Sequence, residues 1–210
     1  MKVKNDNTLF DRILKRLFDI CLAGLGLLLF PVLIPVMIMI RADGGPVFFL
    51  QKRVGLHGKT FHIFKFRTMR QGSEKKGLQI TSSGDPRITD VGRFLRKTKI
   101  DEFPQLLNVL WGEMSIVGPR PEVPYYVNKW TDRDRQLILA VKPGITDQAS
   151  IQYSKEEEIL AKYEDYESAY INKVMPHKLK LYRKYVKERN LSTDIKIILL
   201  TLKKVIGGSV

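Results

Sequence analysis

A long uncharged segment near the start of this sequence restricts its possible folds more than any other feature. It runs from Ile20 to Ile40, 21 residues without a charged side chain. As a straight helix it would be roughly 31 Å long, about the thickness of the hydrocarbon core of a bilayer. Pro31 and Pro35 interrupt it, and each removes a backbone donor and crowds the preceding turn. We therefore expect an apolar helix with a sharp bend near Phe30 and Pro31.

The charges that flank this segment leave several arrangements open. Residues 1–19 contain five Lys or Arg and residues 41–60 contain four, so the positive-inside rule favours the cytoplasmic side for both ends. A helix that crosses the bilayer, a re-entrant hairpin that returns to the side it entered from, and a buried core helix are all compatible with the apolar length. A cleaved signal peptide fits less well, because the apolar run is longer than a typical signal-peptide core.

The formal net charge of +14 points to a polyanionic partner, which is nucleic acid, an anionic membrane surface or a phosphate-bearing substrate. The position of the charges favours the membrane. Apolar residues recur at helical spacing over 9–21, with charged residues on the other face, and residues 170–210 contain ten Lys or Arg against two acidic residues. A last amphipathic helix is expected over 194–206. Basic amphipathic helices suit anionic lipid headgroups, so we assign the excess charge to membrane lipids rather than nucleic acid.

Two β-rich runs, 47–54 and 60–69, are separated by a Gly-Leu-His-Gly segment and predict a small β-hairpin. Alternation along the second run places Lys65 and Arg67 on one face, two residues apart, where they can hold a phosphate together. A solvated strand face is the commoner explanation for two basic residues in this pattern.

The acidic pair Asp101 and Glu102 follows a basic segment that includes Arg96 and precedes Pro104. Because Pro104 fits the first turn of a helix, the pair should lie at or just before a helix N-terminus. The helix dipole there favours ionised carboxylates, which are available as nucleophiles or metal ligands. Ordinary helix capping and a surface ion-pair network are the alternatives.

The turn Gly118-Pro119-Arg120-Pro121 encloses one arginine between two prolines. A guanidinium presented rigidly in this way suits bidentate contact with a phosphate. Arg120 is therefore a candidate phosphate-binding residue.

Five motifs, in order along the chain, carry a resemblance to a known family. They are Lys65-Phe66-Arg67-Thr68-Met69, Asp85-Pro86-Arg87, the stretch from Asp101 to Ser115 that begins Asp-Glu-x-Pro-Gln-Leu, Val117-Gly118-Pro119-Arg120-Pro121, and Lys142-Pro143-Gly144-Ile145-Thr146. Together they resemble the bacterial sugar transferase family, the small monotopic polyprenyl-phosphate phosphoglycosyl transferases. The resemblance runs from about Phe10 to Ile206, and several ordered motifs are far more specific than any one of them.

The resemblance implies transfer of a phosphosugar from a UDP-sugar to undecaprenyl phosphate with release of UMP, as the first membrane step of glycoconjugate or polysaccharide synthesis. It implies that Asp101 is the nucleophile, which forms a covalent phosphosugar enzyme, and a ligand of Mg²⁺. Glu102 would be its partner, assisting the lipid phosphate in the second half-reaction. The candidates for screening substrate phosphate charge are Lys65, Arg67, Arg87, Arg96 and Arg120.

The resemblance also implies that the apolar segment is a re-entrant helix hairpin broken at a proline. We expect an α+β, mostly helical fold, with an amphipathic and re-entrant membrane helix over residues 1–41. Residues 42–210 would form one compact cytoplasmic catalytic domain with a small β-hairpin and interfacial C-terminal helices. The protein would be monotopic on the cytoplasmic face of the bacterial inner membrane, in contact with its lipids, and without a nucleic-acid partner. The oligomeric state stays open.

After Thr146 the sequence departs from the family pattern. Many members continue with Gly-Trp-Ala-Gln-Val-Asn-Gly-Arg, whereas residues 147–154 read Asp-Gln-Ala-Ser-Ile-Gln-Tyr-Ser. Preference for the sugar or the nucleotide is the property that we most expect to differ. A non-enzymatic basic module that binds membranes or nucleic acid, and a hydrolase of nucleotide sugars, are the alternative functions.

Overall fold

The apolar segment forms two helices that meet at a bend. The computed structural model of the protein describes residues 8–73, 81 and 84–207. Helix α1 spans Leu9–Leu27, a 3₁₀ turn spans Phe30–Leu33, and helix α2 spans Ile34–Ala42; the bend between the two helical parts is 48°. Within the described residues, no single helix is both long and apolar enough to cross a bilayer, whereas this bent pair meets the length and composition requirement.

The bend lies at Leu28 and Leu29, directly before the predicted position. Pro31 is in the first turn of the 3₁₀ segment that begins at Phe30, and Pro35 is in the first turn of α2. A missing amide donor costs little at these positions, so the prolines begin new helical segments rather than kink existing ones. A sharp bend near Phe30 and Pro31 is confirmed, and its angle makes the two helices a bent pair rather than an antiparallel hairpin.

Helix α1 turns polar side chains toward the protein and apolar ones outward. Arg16 donates to the backbone carbonyls of Val109 and Leu110 at 2.6 and 2.9 Å, and Asp19 is buried. The large apolar side chains of the first turns are exposed; they are Leu9, Phe10, Ile13, Leu14, Leu17 and Ile20. This is the reverse of a helix on the surface of a water-soluble protein, and it is the arrangement that contact with lipid requires.

A buried ion cluster attaches α1 to the C-terminal helix α11, which spans Leu191–Gly207. Lys15 Nζ lies 2.7 Å from Asp19 Oδ1 and 3.1 Å from Asp194 Oδ2. Asp19 Oδ1 also accepts a hydrogen bond from the backbone amide of Ile116 at 3.1 Å. Separating these groups would leave buried charges without partners, so the cluster holds α1 firmly on the rest of the protein.

Strands β1 (Phe48–Val54) and β2 (Thr60–Phe66) form the predicted antiparallel hairpin. The second strand ends three residues before the end of the β-rich run in the sequence. The pairing places Lys65 on the same face as Arg53 and the buried Phe61, because directly opposite residues share one face of an antiparallel pair. Lys65 therefore projects toward the interior of the protein.

A second small sheet, which the sequence did not predict, holds the Gly-Pro-Arg-Pro turn. Strand β3 (Ser115–Val117) runs parallel to β4 (Gly144–Thr146). A Cβ atom on Gly144 would lie only 2.1 Å from the backbone nitrogen of Gly118, so the two chains approach as closely as they do because neither residue has a side chain. Direct backbone contact thus joins two motifs that lie 26 residues apart in the sequence.

The remaining helices are mostly short and surround these sheets. They are α3 (Asp90–Thr98), α4 (Gln105–Trp111), α5 (Pro124–Val127), α6 (Asp132–Ile138), α7 (Gln148–Gln152), α8 (Glu156–Leu160), α9 (Tyr166–Ala169) and α10 (Met175–Glu188), with a 3₁₀ turn at Ile100–Glu102 and a π-helical turn at Tyr170–Val174. One core cluster lies in the C-terminal half around Trp130 and Tyr182, and another joins Ala23 of α1 to Val109 of α4. The α+β, mostly helical fold is confirmed, and the domain boundary at residues 41 and 42 stays a prediction.

Candidate active site

The acidic pair lies in the 3₁₀ turn between α3 and α4. Lys99, with a φ of 59°, ends α3 in the left-handed region and redirects the chain. Asp101 and Glu102 follow, and Pro104 stands directly before Gln105, the first residue of α4. The pair therefore lies just before a helix N-terminus, as predicted, but its two carboxylates have different surroundings.

Glu102 is held between two cations. Lys65 Nζ lies 3.0 Å from Oε1, and the Arg120 guanidinium donates to both carboxylate oxygens, with Nη1 3.0 Å from Oε2. Burial opposes the charge on Glu102, but Arg120 and Lys65 outweigh it and hold the pKa of this carboxyl well below its usual range. Burial likewise opposes the charge on Arg120, and Glu102 outweighs it and raises the pKa of the guanidinium. Glu102 is thus an ionised clamp for two basic side chains.

The two cations reach Glu102 from distant parts of the chain. Lys65 projects from the inner face of β2, and burial lowers the pKa of its ammonium group although Glu102 acts in the opposite direction. Arg120 projects from the turn after β3, and its Nη1 also lies 3.4 Å from the carbonyl oxygen of Ile145 in β4. The structure therefore brings three of the predicted site residues into direct contact.

Asp101 is only 7% exposed, and its Oδ1 has no hydrogen-bond partner. Burial raises the pKa of the Asp101 carboxyl; Lys65 acts against this rise, and the neighbouring Glu102 adds to it. A buried carboxylate oxygen without donors is poorly stabilised. Asp101 is therefore the member of the pair with an oxygen free to attack an electrophile or to bind a cation.

Arg96 lies on α3 beside the same turn. Its Nε donates to Thr68 Oγ1 at 2.9 Å, and its Nη1 donates to Glu157 at 2.8 Å. Its charge acts to lower the pKa of Asp101. A Cβ atom on Gly92 would lie 2.0 Å from the carbonyl oxygen of Thr68, so α3 packs tightly against the chain that follows β2. Arg96 is held close enough to Asp101 for their charges to interact.

Two of the predicted phosphate-binding residues have other partners. Strand β2 ends before Arg67, whose buried guanidinium donates to the carbonyl oxygen of Ile40 at 2.6 Å. Arg87 forms a two-point ion pair with Asp85, with Nη2 2.6 Å from Oδ2 and Nε 2.9 Å from Oδ1. The expected joint grip of Lys65 and Arg67 on one group is therefore not what the structure shows. Arg67 instead fastens the end of α2.

A second ion cluster next to the site, half-buried, was not predicted. Arg53 Nη1 donates to Glu122 Oε1 at 3.2 Å and to the carbonyl oxygen of Pro121 at 3.1 Å, and Tyr170 donates to Glu122 Oε2 at 2.5 Å. Because Glu122 directly follows the Gly-Pro-Arg-Pro turn, this cluster fixes the far side of the turn that presents Arg120. Alternation along β1 was the available signal, since it places Arg53 on the inner face.

The acidic pair can hold a divalent cation only together with ligands from elsewhere. Among residues 8–73, 81 and 84–207, no group of three or more His, Cys, Asp or Glu side chains is placed to bind a metal. Mg²⁺ is often bound by one or two carboxylates together with waters and substrate phosphates. The unpartnered Oδ1 of Asp101 supplies one such oxygen. The site thus fits a Mg²⁺ ion that is bound jointly by protein and a phosphate-bearing substrate.

The acidic pair also lies beside the bend of the apolar segment. The ring of Phe103, the residue after Glu102, has its centroid 6.4 Å from that of Phe30. A Cβ atom on Gly26 of α1 would lie 2.6 Å from Cδ1 of Leu106. The charged site and the apolar bend are therefore neighbours in space, although more than 60 residues separate them in the sequence.

Comparison with known proteins identifies the family of the chain. The sequence model of a family described as bacterial sugar transferase matches residues 10–208. The galactosyl transferase CpsE of Streptococcus agalactiae serotype III (strain NEM316) is 39% identical over 209 residues, which cover 94% of this chain and 43% of that protein.

Two further relatives are similar over the same part of the chain. The UDP-glucose:undecaprenyl-phosphate glucose-1-phosphate transferase of Escherichia coli (strain K12) is 39% identical over 203 residues, 92% of this chain and 40% of that protein. The UDP-N-acetylgalactosamine-undecaprenyl-phosphate N-acetylgalactosaminephosphotransferase of Aeromonas hydrophila is 34% identical over 205 residues, 93% of this chain and 44% of that protein. The chain therefore spans about two fifths of the length of these relatives.

Proposed function

This chain belongs to the bacterial sugar transferase family, and we propose on that basis that it transfers a phosphosugar from a UDP-sugar to undecaprenyl phosphate and releases UMP. The observation that carries the proposal is the pairing of a buried, unpartnered carboxylate oxygen on Asp101 with the clamped Glu102, next to an apolar bend. A polyprenyl phosphate needs both features, because its phosphate must reach a polar site while its chain stays in lipid.

In the first half-reaction, Asp101 Oδ1 attacks the sugar-proximal phosphorus of the UDP-sugar. A bond forms between Oδ1 and phosphorus, and the bond from phosphorus to the bridging oxygen breaks, so UMP leaves with that oxygen and its electron pair. In the second, an oxygen of undecaprenyl phosphate attacks the same phosphorus, and the bond to Asp101 breaks. Covalent catalysis of this kind divides one difficult transfer into two easier steps.

The basic residues around the pair offset the charge of the substrate phosphates. Lys65 and Arg120 touch Glu102, and Arg96 lies close enough to influence Asp101, so these three are the residues that we assign to the substrate phosphates. A Mg²⁺ ion held by Asp101 would supply further positive charge there. Phosphate-binding roles for Arg67 and Arg87, and assistance by Glu102 in the second half-reaction, stay predictions.

We also infer a re-entrant, monotopic placement on the cytoplasmic face of the inner membrane. Asp19, at one end of the apolar segment, is hydrogen-bonded to Ile116, and the Ile40 carbonyl at the other end accepts from Arg67. Both ends are thus bonded to one protein body, which favours the same side of the bilayer for both. Exposed apolar residues on α1 and α11 would meet the lipid.

Cysteine labelling tests this topology. Cys21 is the one cysteine of the chain, so it is replaced by serine and single cysteines are introduced at Arg12 or Asp43, on either side of the segment. A maleimide that cannot cross membranes should label both positions from the cytoplasmic side of sealed vesicles. Labelling of the two positions from opposite sides would contradict a re-entrant path.

A UMP-release assay tests the function. The full chain in lipid nanodiscs is supplied with a panel of UDP-sugars, with and without undecaprenyl phosphate and Mg²⁺. We expect sustained UMP release with one or more sugars only when both are present. Sustained release without the lipid acceptor would indicate a hydrolase, and no release with any sugar would favour a non-enzymatic binding module.

A further inference from the structure

Unpartnered buried polar atoms concentrate at the acidic pair. Within the part of the chain that the structure describes, six buried side-chain nitrogen or oxygen atoms lack a hydrogen-bond partner, and three of them belong to Asp101 and Gln105. Gln105 is 0% exposed, yet both Oε1 and Nε2 of its amide are unpartnered. Leaving such groups unsatisfied costs about 1–3 kcal/mol each, so a buried amide with neither bond made needs an explanation.

The next polar residue of the same helix, Asn108, has a side-chain amide whose hydrogen bonds are all within the protein. Asn108, one turn beyond Gln105, is also 0% exposed. Its Oδ1 accepts from the backbone amide of Phe64 at 3.0 Å, and its Nδ2 donates to the His62 carbonyl at 2.8 Å and to Glu113 at 2.7 Å. Asn108 joins α4 to β2, whereas Gln105 performs no comparable structural task.

The unpartnered Gln105 amide restricts the kind of ligand that can complete its hydrogen bonds. Nε2 needs an acceptor and Oε1 needs a donor. A phosphorylated sugar offers both, because phosphoryl oxygens accept and sugar hydroxyls donate. The amide is also neutral, so it adds no charge to a site in which Glu102 already balances part of the charge of Lys65 and Arg120.

We propose that Gln105 binds the phosphosugar directly, with Nε2 donating to a phosphoryl oxygen and Oε1 accepting from a sugar hydroxyl. This inference rests on the proposed function, because the phosphosugar is brought to Asp101 by that reaction. Gln105 begins the helix that follows the acidic pair, one turn further along the chain, and both Gln105 and Asp101 have buried polar atoms without a partner. The Gln105 amide forms its hydrogen bonds only when the substrate is bound. Their free energy therefore contributes to substrate binding and selectivity.

The test compares Gln105→Met with Asn108→Leu, two apolar replacements of similar size on one helix. In Gln105→Met, the midpoint of thermal unfolding should stay within about 2 °C of the wild type or rise, since no bond is lost. In Asn108→Leu, it should fall by about 5 °C or more, since bonds to Phe64, His62 and Glu113 are lost. A fall in Gln105→Met as large as that in Asn108→Leu would show that its amide is satisfied in the folded protein, and would overturn the inference.

Kinetics supply the second readout. The rate of the first UMP burst should fall about tenfold or more in Gln105→Met, as expected for loss of a hydrogen bond to a charged phosphoryl group, whereas inhibition by UMP, which lacks the transferred phosphosugar, should not change. An unchanged burst would overturn the inference while leaving the proposed function intact. Absence of UMP release from the wild type with every UDP-sugar of the panel, in the presence of undecaprenyl phosphate and Mg²⁺, would instead overturn the proposed function, and the assignment of Gln105 with it.

Discussion

The Asp101→Asn variant should form no covalent phosphosugar adduct and should lose turnover by roughly a thousandfold or more, because an amide oxygen does not replace a carboxylate as nucleophile. The native carboxylate is buried and its Oδ1 makes no hydrogen bond, so no other bond has to break before it attacks. The measurement is intact mass after incubation with a UDP-sugar in the absence of lipid acceptor. The wild type should gain the mass of the phosphosugar, and the variant should not.

The matched control is Asp90→Asn, which removes an aspartate whose side chain is 96% exposed and paired with Arg93 at the surface. It should form the adduct at the wild-type rate. Asp101→Asn should also be at least as resistant to thermal unfolding as the wild type, because burial raises the pKa of Asp101 and its ionised form is therefore costly at neutral pH. Wild-type adduct formation by Asp101→Asn would disprove the nucleophile assignment.

The Glu102→Gln variant should lose about 2 kcal/mol of folding free energy near neutral pH, since removal of the shared carboxylate from a half-buried ion cluster leaves the two cations without their partner. Lys65 and Arg120 would lose the carboxylate that balances their charges in a poorly solvated site. The midpoint and slope of urea denaturation measure the loss, and Asp90→Asn again serves as control with no measurable change, because exposed ion pairs contribute little.

The pH dependence of this difference provides a sharper check. Burial opposes ionisation of Glu102, but Arg120 and Lys65 outweigh it and lower the pKa of the carboxyl. A carboxyl with a lowered folded-state pKa contributes stability above its unfolded pKa, about 4.3, and loses it as pH falls through the folded value. The difference in unfolding free energy between wild type and Glu102→Gln should therefore become smaller in acid. If the two proteins had equal free energies of unfolding at neutral pH, or if the difference grew in acid, the ion pairs of Glu102 with Lys65 and Arg120 would not stabilise the fold as described.

Local sequence patterns predicted the features of this protein that depend on neighbouring residues. Two prolines in an uncharged run predicted the bend, and Pro104 placed the acidic pair before a helix. The strand pairing could be predicted as well, because alternation and a glycine-containing turn specify a hairpin. Alternation then failed at Arg67, because it assumed a strand that ends one residue earlier.

Features that depend on distant contacts were beyond reach of the sequence. Nothing local to Glu102 indicates that Lys65 and Arg120 meet on its carboxylate, and nothing local to Gly144 indicates a backbone contact with Gly118. The amide of Gln105 could be noticed only as a polar residue in an apolar helix. That its two polar atoms lack partners can be recognised only when all of its buried neighbours are known.

The ion cluster of Lys15, Asp19 and Asp194 has a consequence for encounter with the lipid substrate. Because α1 is bonded to the domain, the proposed membrane placement would fix the height of Asp101 relative to the bilayer surface. In the proposed reaction, an acceptor lipid would then reach the site by lateral diffusion in two dimensions. The second half-reaction should accordingly follow the surface density of the acceptor in the bilayer rather than its bulk concentration.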